Sequence, residues 1–156
     1  MRITYRVLAY TICVLVALQA AFHAWGSAGL GLYLSEGGVI DASAQDGPPP
    51  FPEVIGLMLH GMNGMFVIPV VALILLIVSF FAKVPRGVTY AAIVFGLVLL
   101  QVTLGLLGHS IVLLGFFHGI NALLLFTAAL LAGLNASKRR VAERAEAATA
   151  PASASA

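Results

Sequence analysis

The chain contains 51 consecutive residues, 87–137, without a single Asp, Glu, Lys or Arg. About 20 apolar residues in helical conformation cross the hydrocarbon layer of a membrane, so this stretch is long enough for two crossings. Its weakest helical segment, GLLGHS, predicts a turn near 108–113. We therefore predict a hairpin of two membrane-spanning helices, near 88–109 and 112–136.

Two further uncharged stretches precede this hairpin, at 7–34 and 54–82. Only 9% of all residues are charged, against about 25% in a soluble domain. Between the two stretches lies a polar loop, 35–53, whose three consecutive prolines exclude a continuous helix. We therefore predict an all-α integral membrane protein, a four-helix bundle whose first two helices lie near 7–34 and 53–82.

All eight Lys and Arg residues fall on one side of the membrane when the four helices are threaded in this order. Four acidic residues of the loop 35–53 fall on the opposite side. Loops rich in Lys and Arg stay in the cytoplasm. We therefore predict a multi-pass protein of the bacterial cytoplasmic membrane, with both termini cytoplasmic and the loop outside. Residues 138–156 are predicted to form a basic, then disordered, cytoplasmic tail.

The first apolar stretch has a second interpretation as a cleaved signal peptide. Arg2 and Arg6 precede an apolar run that contains several alanines suited to a signal peptidase. The run continues unbroken to Leu34, longer than a typical signal peptide core, which favours a retained helix. The intact mass of the mature protein distinguishes the two interpretations.

A short pattern occurs twice in the apolar stretches, as HGMN at 60–63 and HGIN at 118–121. A histidine inside the membrane is unfavourable unless it is paired or bound, so each copy marks a candidate site. At ~1.5 Å per helical residue, His60 lies about 35 Å from Lys83 and His118 about 30 Å from Lys138. The same count places every histidine in the outer half of the membrane: His23, His60, His109 and His118.

A second repeat links the first and third helices. Leu-Gln at 18–19 is followed by Gly26, as Leu-Gln at 100–101 is followed by Gly108 at the same interval. Helices 1 and 3 therefore correspond, as helices 2 and 4 do through HGxN. This predicts a duplicated helix hairpin whose pseudo-twofold axis runs along the membrane normal.

This symmetry places His60 and His118 face to face across the axis. A planar macrocycle with two axial imidazoles has the same symmetry, so a haem iron is our leading candidate for the object between them. Neighbouring residues suit a flat cofactor because they are small or because they supply polar partners. The small ones are Gly61, Gly64 and Gly119; the polar ones are Asn63, Asn121, Gln19 and Gln101. His23 is expected to line a haem face or to substitute as a ligand. His109 is expected to lie near the interfacial turn, with a place among the cofactor-binding residues as the alternative.

Residues 54–134 resemble one half of haem A synthase, an eight-helix membrane protein of cytochrome oxidase assembly. The similar features are His60 near the outer start of helix 2, the Gln-x-x-Leu-Gly element at 101–105, and His118 early in a Leu-rich helix 4. The resemblance implies a four-helix haem-binding bundle with His60 and His118 as iron ligands. A single half lacks the second haem site, so synthesis of haem A by this chain alone is not expected. The chain resembles, more loosely, uncharacterised small four-helix membrane proteins of bacteria.

Three functions follow as hypotheses. The first is a small b-type cytochrome, an electron-transfer protein more than a self-contained enzyme, binding one haem b near the outer face. Its partners would be membrane lipid and a quinol or another membrane redox partner; homo- and hetero-oligomers stay open. The alternative is a non-enzymatic membrane scaffold or assembly subunit with structural histidines. The third is a metal or proton carrier, which ranks last because the spans contain no acid for a relay. Nothing supports nucleic-acid binding, and the basic tail suits anionic lipid.

Overall fold

The computed structural model describes residues 1–40 and 47–149, with side chains described as far as 137. These residues contain four helices and no strand, which confirms the predicted all-α fold. Each helix includes a segment long and apolar enough to cross a membrane, so this is a multi-pass membrane protein. The helices are α1 (Arg2–Ser35), α2 (Val54–Ser79), α3 (Gly87–Gly108) and α4 (Val112–Thr149).

Two helix ends differ from those expected. Helix α1 begins at Arg2, ahead of the uncharged run, because charged side chains at a membrane surface do not oppose helix formation. Helix α4 continues to Thr149, further into the 138–156 tail than the basic, then disordered, segment predicted from the sequence. The segment is rich in Ala, Glu and Arg, which are strong helix formers and extend the helix past the apolar span. Residues 41–46 of the predicted loop and 150–156 of the predicted tail lie outside the described residues.

The four helices form a square. Helix α1 packs against α2 and α4, and α3 packs against the same two, so α2 and α4 occupy one diagonal. Two hydrogen bonds join the segments at the basic end: the Tyr5 hydroxyl donates to the Gly87 carbonyl (3.0 Å), and the Asn135 amide to the Pro85 carbonyl (2.7 Å). The start of α1, the α2–α3 turn and the last part of the α4 span therefore meet at one end of the bundle.

The buried faces of α1 and α3 correspond residue by residue. Adding 82 to each of four buried positions of α1 gives a buried position of α3. The pairs are Tyr5 with Gly87, Ala9 with Ala91, Ile12 with Val94, and Val16 with Val98. The same shift relates Gln19 to Gln101, so the duplication predicted from sequence extends through the packing of these helices.

Two different shifts in residue number relate the buried positions of α2 to those of α4. A shift of 58 relates the buried Asn63 to the buried Asn121, whereas a shift of 57 relates the buried positions nearer the basic end. Those pairs are Ile68 with Leu125, Ala72 with Ala129, Leu75 with Ala132, and Ser79 with Ala136. Helix α2 thus holds one more residue than α4 between the two groups.

A single π-helical turn, Asn63–Val67, absorbs the extra residue. Within it the Ile68 amide donates to the Asn63 carbonyl, one residue further back than in an α-helix. Pro69 follows immediately; a proline has no amide hydrogen and its ring clashes with the carbonyl four residues earlier. The wider turn relieves this clash and keeps both ends of α2 in register with α4.

The extra residue leads to a testable prediction. Deleting Phe66, which is exposed on the π turn, together with Pro69→Ala, is expected to give a regular α-helix with both ends still in register. The thermal unfolding midpoint in detergent, followed by circular dichroism, should stay within about 5 °C of the wild type.

The matched control is deletion of Leu123, the position of α4 that corresponds to Met65 of the π turn. Helix α4 holds no extra residue, so this deletion rotates its outer part by about 100° relative to the core. The midpoint should fall by more than about 10 °C. Equal effects of the two deletions would contradict the proposed register.

Candidate functional site

Polar side chains gather where the apolar core ends. The buried core fills the basic half of the bundle, as far as Val16 on α1 and Val98 on α3. Immediately outward, each helix contributes polar groups to one cluster in the bundle interior. The cluster consists of Gln19, His60, Asn63, Gln101, His118 and Asn121. The predicted site residues on all four helices are therefore brought together.

The first copy of the motif ties α2 to α1. The His60 Nδ1 donates to the backbone carbonyl of Gln19, at 3.0 Å. The Asn63 amide nitrogen donates to the side-chain oxygen of Gln19 (3.0 Å) and to the backbone carbonyl of Leu15 (3.3 Å). Histidine and asparagine are one helical turn apart, so both reach the same face of α1.

The second copy repeats these bonds between α4 and α3. The His118 Nδ1 donates to the Gln101 carbonyl at 3.0 Å. The Asn121 amide nitrogen donates to the Gln101 side-chain oxygen (2.6 Å) and to the Leu97 carbonyl (2.9 Å). In addition, the Gln101 amide nitrogen donates to the His118 carbonyl, at 3.0 Å. The pseudo-twofold symmetry therefore extends to individual hydrogen bonds.

These hydrogen bonds define which ring nitrogen of each neutral histidine carries the hydrogen. A carbonyl oxygen can only accept, so the Nδ1 of His60 and that of His118 must each carry a hydrogen. In the neutral imidazole the Nε2 is then unprotonated and free to bind a metal. No hydrogen bond to either Nε2 is present among the described residues. A backbone carbonyl holding the other ring nitrogen is the usual arrangement for a metal-binding histidine.

The distance between the two rings suits one metal ion. The ring centroids of His60 and His118 lie 6.1 Å apart, with the ring planes inclined by 56°. Two imidazoles on opposite sides of one ion, each with a metal–nitrogen bond of about 2 Å, place their centroids about 6 Å apart. The prediction that these histidines face each other across the bundle therefore agrees with their positions.

His60 and His118 differ in the residue that lies beside each ring, on α1 and on α3 respectively. The exposed His23 ring lies 5.1 Å from the His60 ring. The shift of 82 that relates α1 to α3 pairs His23 with Gly105. A methyl group at Gly105 would lie 3.0 Å from Cε1 of His118, so a larger residue there would push this ring away from α3. Sequence reasoning did not place Gly105 in the site, although its correspondence to His23 was available as a signal.

The three glycines predicted to border the site are not equivalent. A methyl group at Gly64 would lie 2.5 Å from the Gln19 amide nitrogen, so a larger residue there would displace the Gln19 side chain. At Gly61 and Gly119 a methyl group would meet nothing within 4 Å. The packing of the protein itself therefore does not explain these two glycines, and they leave open space beside the histidines.

His109 does not join the cluster. Its Nδ1 bonds to the Gly105 carbonyl of its own helix, at 2.9 Å, and the side chain is exposed. This fits the expected position of His109 next to the turn between α3 and α4, whereas the structure does not bring it to the other predicted cofactor-binding residues. His109 therefore serves as a control residue for the site.

The donor set indicates which group could be held. No three His, Cys, Asp or Glu side chains within the described part of the chain gather as a metal site. A protein zinc site needs three or four such ligands. A haem iron needs only axial ligands from the protein, because the porphyrin supplies the others. A facing pair of imidazoles therefore fits haem better than a bare metal ion.

The additional hydrogen bond from the Gln101 amide to the His118 carbonyl leads to a prediction. Gln101→Leu removes an acceptor for Asn121 and the donor to the His118 carbonyl, whereas Gln19→Leu removes only the corresponding acceptor for Asn63. The free energy of unfolding should fall by about 1 kcal/mol more for Gln101→Leu. Chemical unfolding of both variants in detergent measures the difference. Equal losses would show that the additional bond does not stabilise the bundle.

Comparisons with protein-family models, with curated proteins and with solved structures find no match for this chain. The site is therefore defined by its own geometry: two imidazoles, each locked by a backbone carbonyl, facing each other inside a duplicated four-helix bundle.

Proposed function

We propose that the protein is a small b-type membrane cytochrome that binds one haem b between His60 and His118. One observation carries the proposal. Both imidazoles donate Nδ1–H to a carbonyl of the adjacent helix, which leaves two free Nε2 atoms on rings 6.1 Å apart. A symmetric pair of this kind is what bis-imidazole ligation of one iron requires.

The protein would hold each ligand in place through its neighbours. The Gln19 and Gln101 carbonyls restrict the rotation of the two rings and hold each in the tautomer that leaves Nε2 free. The Asn63 and Asn121 amides tie the same helix faces together, so the rings cannot separate without breaking several bonds. When bound, haem supplies a one-electron carrier, and two axial histidines favour electron transfer over oxygen chemistry.

Retention of the haem would depend mainly on the two iron–imidazole bonds. By position in the sequence, every Lys and Arg residue falls at the basic end of the spans, so none is expected beside the haem propionates. The remaining contribution would come from apolar contact and from the space beside Gly61 and Gly119. Loss of either histidine should therefore release the group.

The position of the site suggests its role in a membrane. The histidines lie in the half of the bundle away from the basic end. We place the basic end at the cytoplasmic side of a bacterial membrane. Electrons would then pass from a donor dissolved in the lipid, such as a quinol, to an acceptor at the outer surface.

The spectrum of the purified protein tests the proposal. Protein expressed with ample haem precursor should show a Soret band and a reduced-minus-oxidised difference spectrum. His60→Ala and His118→Ala should each strongly reduce the haem content. Loss of a residue that only supports a ligand lowers affinity roughly 10- to 100-fold, and loss of the ligand itself should lower it further. A colourless wild-type protein would contradict the proposal.

His109→Ala is the matched control, because this histidine also bonds a backbone carbonyl but lies outside the cluster. It should leave the haem content unchanged. The alternative function, a membrane scaffold or assembly subunit, predicts a different pattern. The protein would be colourless, and replacing His60 and His118 by apolar residues would preserve the folded bundle.

A further inference from the structure

His23 and His60 form a second pair of imidazoles, distinct from the facing pair of His60 and His118. The two ring centroids lie 5.1 Å apart, with the ring planes inclined by 50°. The His23 side chain is exposed, and within the described part of the chain its ring takes part in no hydrogen bond. On His60 only the Nδ1 is engaged, by the Gln19 carbonyl. Both rings therefore have a nitrogen available to a metal ion.

The separation of this pair indicates which coordination geometry fits it. A metal–nitrogen bond of about 2 Å places an ion about 3.2 Å from the centre of an imidazole ring. Two rings at a tetrahedral angle then have centroids about 5.2 Å apart. Adjacent ligands of a square-planar ion would bring the centroids to about 4.5 Å. The 5.1 Å between His23 and His60 therefore fits a tetrahedral ion, and zinc is the common divalent ion of this geometry.

We propose that His23 and His60 bind a zinc ion, with water in the remaining coordination positions. No carboxylate or thiolate joins the two histidines as a third ligand within the described residues, so the protein supplies two nitrogens. The zinc sites of structural and catalytic zinc proteins have three or four protein ligands. With two, this site binds zinc more weakly and reversibly, as suits a regulatory ion.

Zinc can reach the pair from the aqueous phase at the outer surface. The shift of 82 that relates α1 to α3 pairs His23 with Gly105, three residues before α3 ends at Gly108. At 1.5 Å per residue, this level lies about 5 Å from the outer end of α3. The exposed His23 ring is therefore close enough to the surface for a hydrated ion, and water can fill the open coordination positions.

Zinc at this site would control haem binding, a consequence that rests on the proposed function, whereas zinc binding itself does not. The Gln19 carbonyl holds the Nδ1 of His60, so this ring has only its Nε2 for a metal. A His60 that binds zinc therefore cannot ligate a haem iron at the same time. The second hairpin has no equivalent pair, because Gly105 takes the place of His23 beside His118. Zinc would thus exclude haem through His60 alone.

Single variants separate the zinc pair from the haem pair. Zinc chloride is titrated into untagged, haem-free protein in detergent, and binding is measured by calorimetry against empty micelles. His23→Ala should weaken zinc binding by more than about tenfold, because it removes a ligand and not merely a supporting residue. His118→Ala should keep zinc binding, and so should the control His109→Ala, which removes another exposed histidine. Zinc binding that survives His23→Ala, or that is lost with His118→Ala, would overturn the assignment.

A further variant protects this test against misfolding. If His118→Ala does not elute as a folded protein, Gly105→Ala takes its place, because a methyl group there presses on the His118 ring and not on His23 or His60. It should also keep zinc binding, and a loss would overturn the assignment.

Competition is tested by adding haemin to haem-free protein with and without zinc. Zinc should lower haem uptake by the wild-type protein and by His109→Ala, whereas uptake by His23→Ala should be the same in both conditions. Uptake by the wild type that does not depend on zinc would overturn the proposed control. A protein that binds zinc through His23 and His60 but takes up no haem disproves the cytochrome and retains the zinc site. A haem protein that binds no zinc does the reverse.

Discussion

Polar side chains inside a membrane have no water to bond, and this protein satisfies them mainly with backbone carbonyls. A helical carbonyl accepts one amide hydrogen bond and keeps a second lone pair. The carbonyls of Gln19 and Gln101 use it for the histidines, and those of Leu15 and Leu97 use it for the asparagines. Because each acceptor is part of a rigid helix, ring orientation, tautomer and the distance between the two rings follow from how the helices pack.

The duplicated hairpin is what makes these bonds symmetric. Matching buried faces on α1 and α3 bring Gln19 and Gln101 to equivalent places, and each then receives a histidine and an asparagine from its partner helix. In a regular helix, the extra residue of α2 would rotate His60 by about 100° away from α1 and break this symmetry. The π turn beside Pro69 confines the change to one turn and leaves the site intact.

Much of this arrangement could be predicted from the sequence. Uncharged stretches defined four helices, and the HGxN and Gln repeats identified the residues that form the cluster. The π turn was not predictable in the same way, because one inserted residue becomes visible only when the buried faces of α2 and α4 are compared. Bonds to backbone carbonyls leave no pattern of residue types, so the roles of Leu15 and Leu97 were also hidden. Gly105 was overlooked because its counterpart, His23, is chemically unlike it.

The differences between the two hairpins matter as much as their symmetry. His60 has the exposed His23 beside it, whereas His118 has Gly105 at the corresponding place. Each ring keeps the same carbonyl bond, so these differences alter the surroundings of the two rings without altering their hydrogen bonds. A cofactor held between equivalent ligands in unequal surroundings would have two distinct sides.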